Sequence, residues 1–549
     1  MRVESRDVRG EFCSLLIVCC GALPAQTPWL RVAGGSPGAQ MGRAVAFAGD
    51  LDRDGYADLA LGLPQLGPTT APWRGEVVVV SGRDGVVLRT YTGSAAGDRF
   101  GMALVSLGDV DNDGFPDLAV GAPYDDVPGQ DAGTVSLWSG RSGSLLRVFS
   151  TALPGENFGG ELGNAGDVDR DGADDLVVGC PFSDVGGRDS GTAYVFSART
   201  GQLLHRWTGA AQDRLHGFAV AGVGDLDGDG SADVAVSAYE MFVGGRGTVE
   251  VRSGRDGRVL HSWRGDQLSD LFGHDVAGAG DVDGDGVGDV VVGIFGQGTT
   301  QPSAGAMRVH SGRSGQVLAS FAGFTSFDRF GASVAGVGDT DGDGRAEWVV
   351  GSLFSNYAVL FDGATRQPRT VLRGTGFFGS VVSGGQDATG DGRPDLVVGS
   401  WKDSGAAAEA GAAQVFSGQT VPLQRDVPGF AAVAGGQQVL SLEAGAANSG
   451  RVYLILGSAS GTRPGTPVLG GIVPLVFDAY TSFTLGYPNM APLVASLGTL
   501  DAQGKAVAAF RLPAGLAGLA GLRLDHAALL APQTSTLDFV SNPVPLLLR

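Results

Sequence analysis

Apolar residues in this chain come in short runs, separated by polar, glycine-rich turns. Residues 100–149 show the unit. Phe100-Gly101 leads into Leu104-Val105-Ser106-Leu107, and an acidic loop separates this run from Leu118-Ala119-Val120. After about ten more residues comes Thr134-Val135-Ser136-Leu137-Trp138. The turn Ser139-Gly140-Arg141-Ser142-Gly143 then leads to Leu145-Leu146-Arg147-Val148-Phe149. The runs are too short for helices and are rich in β-branched and aromatic residues, so they predict strands. Four short strands with tight turns describe one blade of a β-propeller.

The unit repeats. Its acidic loop reads Asp50-Leu51-Asp52-Arg53-Asp54-Gly55-Tyr56-Ala57-Asp58 in the first copy. Further copies start at Asp109, Asp167, Asp225, Asp281, Asp339 and Asp387, in steps of 59, 58, 58, 56, 58 and 48 residues. A near-constant period of this length is the mark of an array of one supersecondary unit. Leucine-rich and ankyrin arrays are excluded by the period and by the lack of helical spacing.

The loop chemistry points to a hard cation. Ca²⁺ takes six to eight oxygen ligands in a flexible cage. Positions 1, 3, 5 and 9 supply carboxylates: Asp50, Asp52, Asp54 and Asp58; Asp109, Asp111, Asp113 and Asp117; Asp167, Asp169, Asp171 and Asp175. The later copies supply Asp225, Asp227, Asp229 and Asp233; Asp281, Asp283, Asp285 and Asp289; Asp339, Asp341, Asp343 and Glu347; and Asp387, Asp391 and Asp395. Position 7 adds a backbone carbonyl from Tyr56, Phe115, Ala173, Ser231, Val287, Arg345 or Arg393. Glycine at position 6 allows the sharp turn around the ion. Mg²⁺ suits the loop less, because it demands a tight octahedron and keeps its waters. Zinc is disfavoured because no loop offers Cys or His. Up to seven Ca²⁺ ions are expected. The seventh loop has Thr389 at position 3 and is expected to bind most weakly.

The motif is not an EF-hand, which needs Glu at position 12 and flanking helices. Here position 12 is apolar, as at Leu61, Val120 and Val178. Seven divalent ions would bring the net charge of −20 to about −6. Without them, each loop holds several like charges close together, which is destabilising. An acidic chain without a basic patch also argues against nucleic acid as a partner.

The N-terminus reads as a secretory signal over residues 1–26. Arg2, Arg6 and Arg9 precede an apolar stretch from Phe12 to Leu23, followed by small residues. Three of the four cysteines lie there, so the mature chain keeps only Cys180 and no internal disulfide. No later run of 18 apolar residues suggests a transmembrane helix. Secretion or display at the cell surface follows. Residues 428–549 carry no acidic loop, but runs such as Arg451-Val452-Tyr453-Leu454-Ile455-Leu456 predict a small β-sandwich-like domain.

Two motifs frame each repeat. Phe-Gly recurs at Phe100-Gly101, Phe158-Gly159, Phe272-Gly273, Phe330-Gly331 and Phe378-Gly379, with Met41-Gly42 and His216-Gly217 in register. Gly62-Leu63-Pro64, Gly121-Ala122-Pro123 and Gly179-Cys180-Pro181 form the second motif, which decays to Ser237-Ala238 in the fourth repeat. These residues resemble the FG-GAP repeat family, found in the integrin alpha-subunit propeller. The resemblance covers about residues 29–420. It implies a seven-bladed propeller over residues 27–424, with Ca²⁺ in the loops joining strands one and two. The chain departs from the integrin pattern in carrying a cation loop in all seven blades. Ring closure is expected from Trp29-Leu30-Arg31-Val32-Ala33, which matches a fourth strand for the last blade; Val421 to Val427 is the rival.

The functional expectation is a calcium-binding adhesion or protein-interaction module, monomeric, with an extracellular protein or glycan ligand. A lectin-like propeller is the alternative reading, and an extracellular hydrolase a third. No catalytic constellation is evident: the six histidines stand in no known motif. Arg264-Gly265-Asp266 matches an adhesion tripeptide, but in register it is only the end of a fourth strand. The loops between strands two and three begin with Tyr124, Phe182, Tyr239, Phe295, Phe354 or Trp401. These are read either as packing wedges between blades or as ligand contacts. The resemblance places them on the face opposite the cation loops, where integrin ligand contacts lie.

Overall fold

The computed structural model describes residues 28–418, apart from 65–73, 128 and 298–301, and the backbone of further strands between Leu423 and Leu548. The expected signal segment lies outside the described residues. The protein is all-β, and residues 30–416 form seven four-stranded antiparallel sheets. Blade 2 runs Leu104–Ser106, Leu118–Ala122, Thr134–Trp138 and Leu145–Phe149, as the apolar runs predict. Blades are numbered here by their acidic loop.

The last blade is completed by the N-terminus. Leu30–Ala33 pairs antiparallel with Ala412–Phe416, with Leu30 opposite Val415 and Ala33 opposite Ala412. The rival segment lies elsewhere: its described part, Leu423–Arg425, pairs with Gly436–Glu443. Closure ties the chain's two ends of the ring into one sheet and covers the edge of Ala412–Phe416 that would otherwise lie open.

The two family motifs meet between blades. A Cβ on Gly121 of blade 2 would lie 1.9 Å from the carbonyl oxygen of Gly159 of blade 3. The same approach recurs at Gly62 to Gly101 (2.2 Å), Gly179 to Gly217 (2.1 Å), Gly293 to Gly331 (2.1 Å) and Gly351 to Gly379 (1.9 Å). It closes the ring at Gly399 to Gly42 (2.3 Å). Glycine is required there because the backbones of adjacent blades touch. Blade 4 has Ser237 instead, and its hydroxyl accepts the Ala219 N–H at 2.9 Å.

The paired motif residue fills the gap beside this contact. Phe158, Phe272, Phe330 and Phe378 are fully buried, and His216 takes the same place in blade 4. Phe158 packs in one cluster with Leu137 and Phe149 of blade 2 and Tyr194 and Phe196 of blade 3. The core is therefore a series of layers between blades. Cys180 is fully buried in the same layer, and burial raises its thiol pKa, so it acts as a small apolar filler.

Beyond the ring, strands pair into a four-stranded and a larger sheet. The packing of side chains between those sheets, and with it the expected sandwich, falls outside the described residues.

Candidate metal centres

Antiparallel alternation puts the loops joining strands one and two, and the turns joining strands three and four, on one face of the ring. All seven acidic loops therefore gather there. Each has the same backbone. The glycine at position 6 has φ between 80 and 89° in all seven copies, a region closed to most side chains. Position 4 is also left-handed: Arg53, Asn112 and Arg170 in the first three loops, then Gly228, Gly284, Gly342 and Gly390. The sequence reading did not anticipate this second turn, although glycine at position 4 in four copies was its signal.

The carboxylates hold the loop by accepting its own N–H groups. In loop two, Asp109 Oδ1 accepts from Asp113 N at 2.9 Å, and Asp109 Oδ2 accepts from Gly114 N at 2.9 Å. Asp111 Oδ1 takes a second bond from Asp113 N at 3.0 Å. Asp113 Oδ1 accepts from Phe115 N at 3.0 Å. These bonds fix the carboxylates of positions 1, 3 and 5 against the loop backbone.

Position 9 is buried and serves as a brace. Asp117 Oδ2 accepts from Val110 N at 2.9 Å, and its Oδ1 accepts from Gly140 N in the strand three–four turn, also at 2.9 Å. The pattern repeats at Asp58, Asp175, Asp233, Asp289, Glu347 and Asp395. Burial raises these carboxyl pKa values despite the hydrogen bonds. Asp58, Asp175 and Asp395 are pushed up to about 7, and Asp117, Asp233 and Asp289 to about 6.

One oxygen from each of Asp50, Asp52 and Asp58 lies within 4.8 Å of the others. The same holds for Asp109, Asp111 and Asp117; Asp167, Asp169 and Asp175; Asp225, Asp227 and Asp229; and Asp281, Asp283 and Asp285. Ca²⁺–oxygen distances are about 2.3–2.6 Å, so two ligands on opposite sides of an ion are about 5 Å apart. The clusters fit that span, and their donors are all hard oxygens.

The opposite face is uneven. Tyr239 is buried, stacked on Phe218 at 4.1 Å and edge-on to His274 at 5.2 Å. Phe295 stacks on His274 at 4.2 Å under the Arg329 guanidinium. Tyr124 lies under Arg99 at 4.1 Å, and Trp401 stacks on Phe377 at 5.2 Å. Only Phe182 and Phe354 of the six stand open, at 41% and 52% exposure. The Asp266 carboxylate of the Arg-Gly-Asp stretch is engaged by the Arg308 guanidinium, in keeping with a structural role. His216, His274 and His310 are each lowered to about 4 by burial. A groove of 390 Å³ lies at the outer edge between blades 1 and 2, lined by Thr90, Tyr91, Thr92, Trp138 and Ser142.

The FG-GAP repeat description matches residues 41–80 and 100–138. Blades 1 and 2 thus match FG-GAP repeats. Its propeller is similar to Integrin alpha-5 of Xenopus laevis, at 29% identity over 36% of this chain and 20% of that protein. It is also similar to Integrin alpha-PS2 of Drosophila melanogaster, at 32% identity over 35% of this chain and 15% of the relative. A third relative is Integrin alpha-V of Gallus gallus, at 31% identity over 38% and 21%. The matched region thus spans 15–21% of these relatives' length. Among solved structures, "Structure of Dos1 propeller" matches at 12% identity and a TM-score of 0.40, over 69% of this chain and 78% of that one. Among the described residues, no helix is long and apolar enough to cross a membrane.

Proposed function

We propose that residues 27–424 form a calcium-binding FG-GAP propeller that acts outside the cell as an adhesion or protein-interaction module. The observation that carries this reading is the repeated geometry of the loops: one turn conformation and one brace around the ring, with three carboxylates brought within 4.8 Å of one another in each of loops one to five. Positions 1, 3, 5 and 9 would hold the ion, with the position 7 carbonyl. The similarity to integrin alpha subunits supports the adhesion role, and residues 1–26 would direct export. The function is binding; the described residues supply scaffolding and ion ligands, with their buried histidines packed in the core. The exposed Phe182 and Phe354 would contribute to the partner-binding face. Residues 428–549 would form a separate β-rich domain.

Chelation is the direct test. Extracellular Ca²⁺ modules have Kd values of about 10⁻⁴–10⁻³ M. At ten times Kd, each site adds about 1.4 kcal/mol. Several sites together match a large part of a domain's stability. EDTA should lower the melting temperature strongly, and Ca²⁺ should restore it. An unchanged melting curve would overturn the calcium reading. The glycan alternative has one supporting feature, the groove that sets Trp138 beside Thr90, Thr92 and Ser142. A glycan array separates it from protein binding.

A further inference from the structure

Loop six differs from the other loops at several places, and the differences meet. Position 2 is Thr340, where the other loops carry Leu51, Val110, Val168, Leu226, Val282 or Ala388. Position 9 is Glu347 in place of Asp. The third change is remote in sequence. On the outer strand of blade 6, Phe361 faces Pro368 and Leu360 faces Thr370, which leaves Arg369 as the extra residue of a bulge. In blades 1 to 5 the same bulge position holds Leu88, Leu146, Leu204, Leu260 and Leu318.

The Arg369 side chain is 2% exposed and turned into the loop. Its Nη1 donates to Thr340 Oγ1 at 2.7 Å. The same nitrogen lies 3.4 Å from Asp341 Oδ2 and 3.6 Å from Glu347 Oε2. Thr340 Oγ1 in turn donates to Glu347 Oε2 at 2.7 Å. From the neighbouring loop, Arg393 Nη1 comes within 3.9 Å of Asp339 Oδ1. Positions 1, 3 and 9 of this loop thus each face a guanidinium. Arginines touch other loops too, as Arg199 at Asp171, Arg258 at Asp227 and Arg313 at Asp285. Those side chains are 29–58% exposed, whereas that of Arg369 is 2% exposed.

We propose that Arg369 stands in loop six in place of a divalent ion, so that this loop binds Ca²⁺ far more weakly than loops one to five. The inference rests on the calcium reading of those other loops. The physical reason is that a guanidinium held beside the ligand carboxylates already neutralises them, and an arriving ion would have to share the loop with a buried like charge. Thr340 and the longer Glu347 suit the arginine better than an apolar residue and a short Asp would, because Thr340 gives Nη1 an acceptor and Glu347 brings a carboxylate to 3.6 Å.

Two measurements on the full chain test this. Anomalous difference maps from crystals grown in millimolar Ca²⁺ should show density in loops one to five and none in loop six. Elemental analysis after equilibrium dialysis should then show one ion more per chain for the triple variant T340V/E347D/R369L than for the wild type, and one fewer for D111N. Loop six filled alongside loop two in the wild type overturns the role of Arg369 and leaves the calcium reading standing. Empty loops one to five overturn both. Should the triple variant fail to fold, the wild-type maps still decide.

Discussion

On the cation-loop face, seven segments of different sequence adopt one conformation, with position 6 at φ 80–89° and a buried acid bonded to two backbone N–H groups. On the opposite face, six segments that each begin with an aromatic residue place it in several settings, from the buried Tyr239 to Phe354 at 52% exposure. The difference lies in what fixes each position. On the first face, backbone groups are the partners, and every blade presents the same backbone. On the second, the partners are side chains from a neighbouring segment, such as His274 or Arg99, and these vary from blade to blade. Repetition of a motif therefore transmits geometry where the contact is to the main chain.

The largest effect should come from breaking what both faces share, the backbone contact between blades. In G121A the new Cβ would meet the Gly159 carbonyl at 1.9 Å, and neither backbone can yield without parting the sheets. Overpacking of this kind costs about 3 kcal/mol. Denaturant unfolding should show that loss; a change below about 0.5 kcal/mol would mean the blades slide freely, as surface substitutions do.

A smaller loss is expected from a single cation loop. D111N keeps an acceptor for the Asp113 N–H but removes one ligand charge. In Ca²⁺ the variant should lose about 1.4 kcal/mol, the value of one site at ten times Kd. In EDTA it should be at least as stable as the wild type, because the hydrogen bond remains and one of three neighbouring like charges is gone. T389D is the converse: it restores the missing carboxylate of loop seven and should raise that loop, the weakest apart from loop six, to the affinity of loops one to five.

The propeller, its blade count, the closure by Trp29 to Ala33 and the acidic loops were legible in the sequence, because each follows from a short-range pattern repeated at one period. The brace role of position 9 was not. Read along the chain, Asp117 is one more carboxylate; its bond to Gly140 appears only when the strand three–four turn folds back over the loop. Arg369 was hidden for a similar reason. It lies 28 residues beyond Asp341, and only the bulge register aligns it with Leu146 and Leu318. Aligning fourth strands as carefully as the loops would have exposed an arginine among leucines. Which loop aromatics are buried was missed although an offset signalled it: Tyr239 stands six residues after Asp233, whereas the open Phe182 and Phe354 stand seven after Asp175 and Glu347.

The pH dependence sharpens the comparison between faces, because burial shifts their groups in ways that give opposite trends. Asp58, Asp175 and Asp395 rise to about 7 from an ordinary value of 3.8. In the ion-free protein the folded state therefore holds protons that the unfolded state has released, and stability falls as pH rises from about 4 through 7. Ca²⁺ must displace those protons, so the Ca²⁺-dependent rise in melting temperature should shrink as pH falls from 8 to 5. His216 and His274 run the other way. Lowered to about 4 from 6.5, they stay neutral when folded, and stability is lost as pH falls from 6.5 towards 4. H216F, which restores the residue of the other blades, should flatten the acid side of the curve and leave the Ca²⁺ effect unaltered.

The smallest stability effect is expected at Phe354, and its smallness is the informative part. Tyr239 and Phe354 open the same loop in blades 4 and 6, one residue apart in register. Tyr239→Ala removes a buried ring stacked on Phe218 and should cost about 3 kcal/mol, as for other buried aromatics. Phe354 has one described ring contact, Phe377 at 5.9 Å, and is 52% exposed. Its truncation should change stability by less than about 0.5 kcal/mol. A ring left open at such low structural cost is what a contact residue requires. The same substitution should therefore weaken capture of whatever extracellular ligand the wild type retains, with the melting temperature unmoved. If Phe354→Ala instead destabilises the fold as strongly as Tyr239→Ala, the ring is a wedge between blades, and the division of this face into packed and open positions fails.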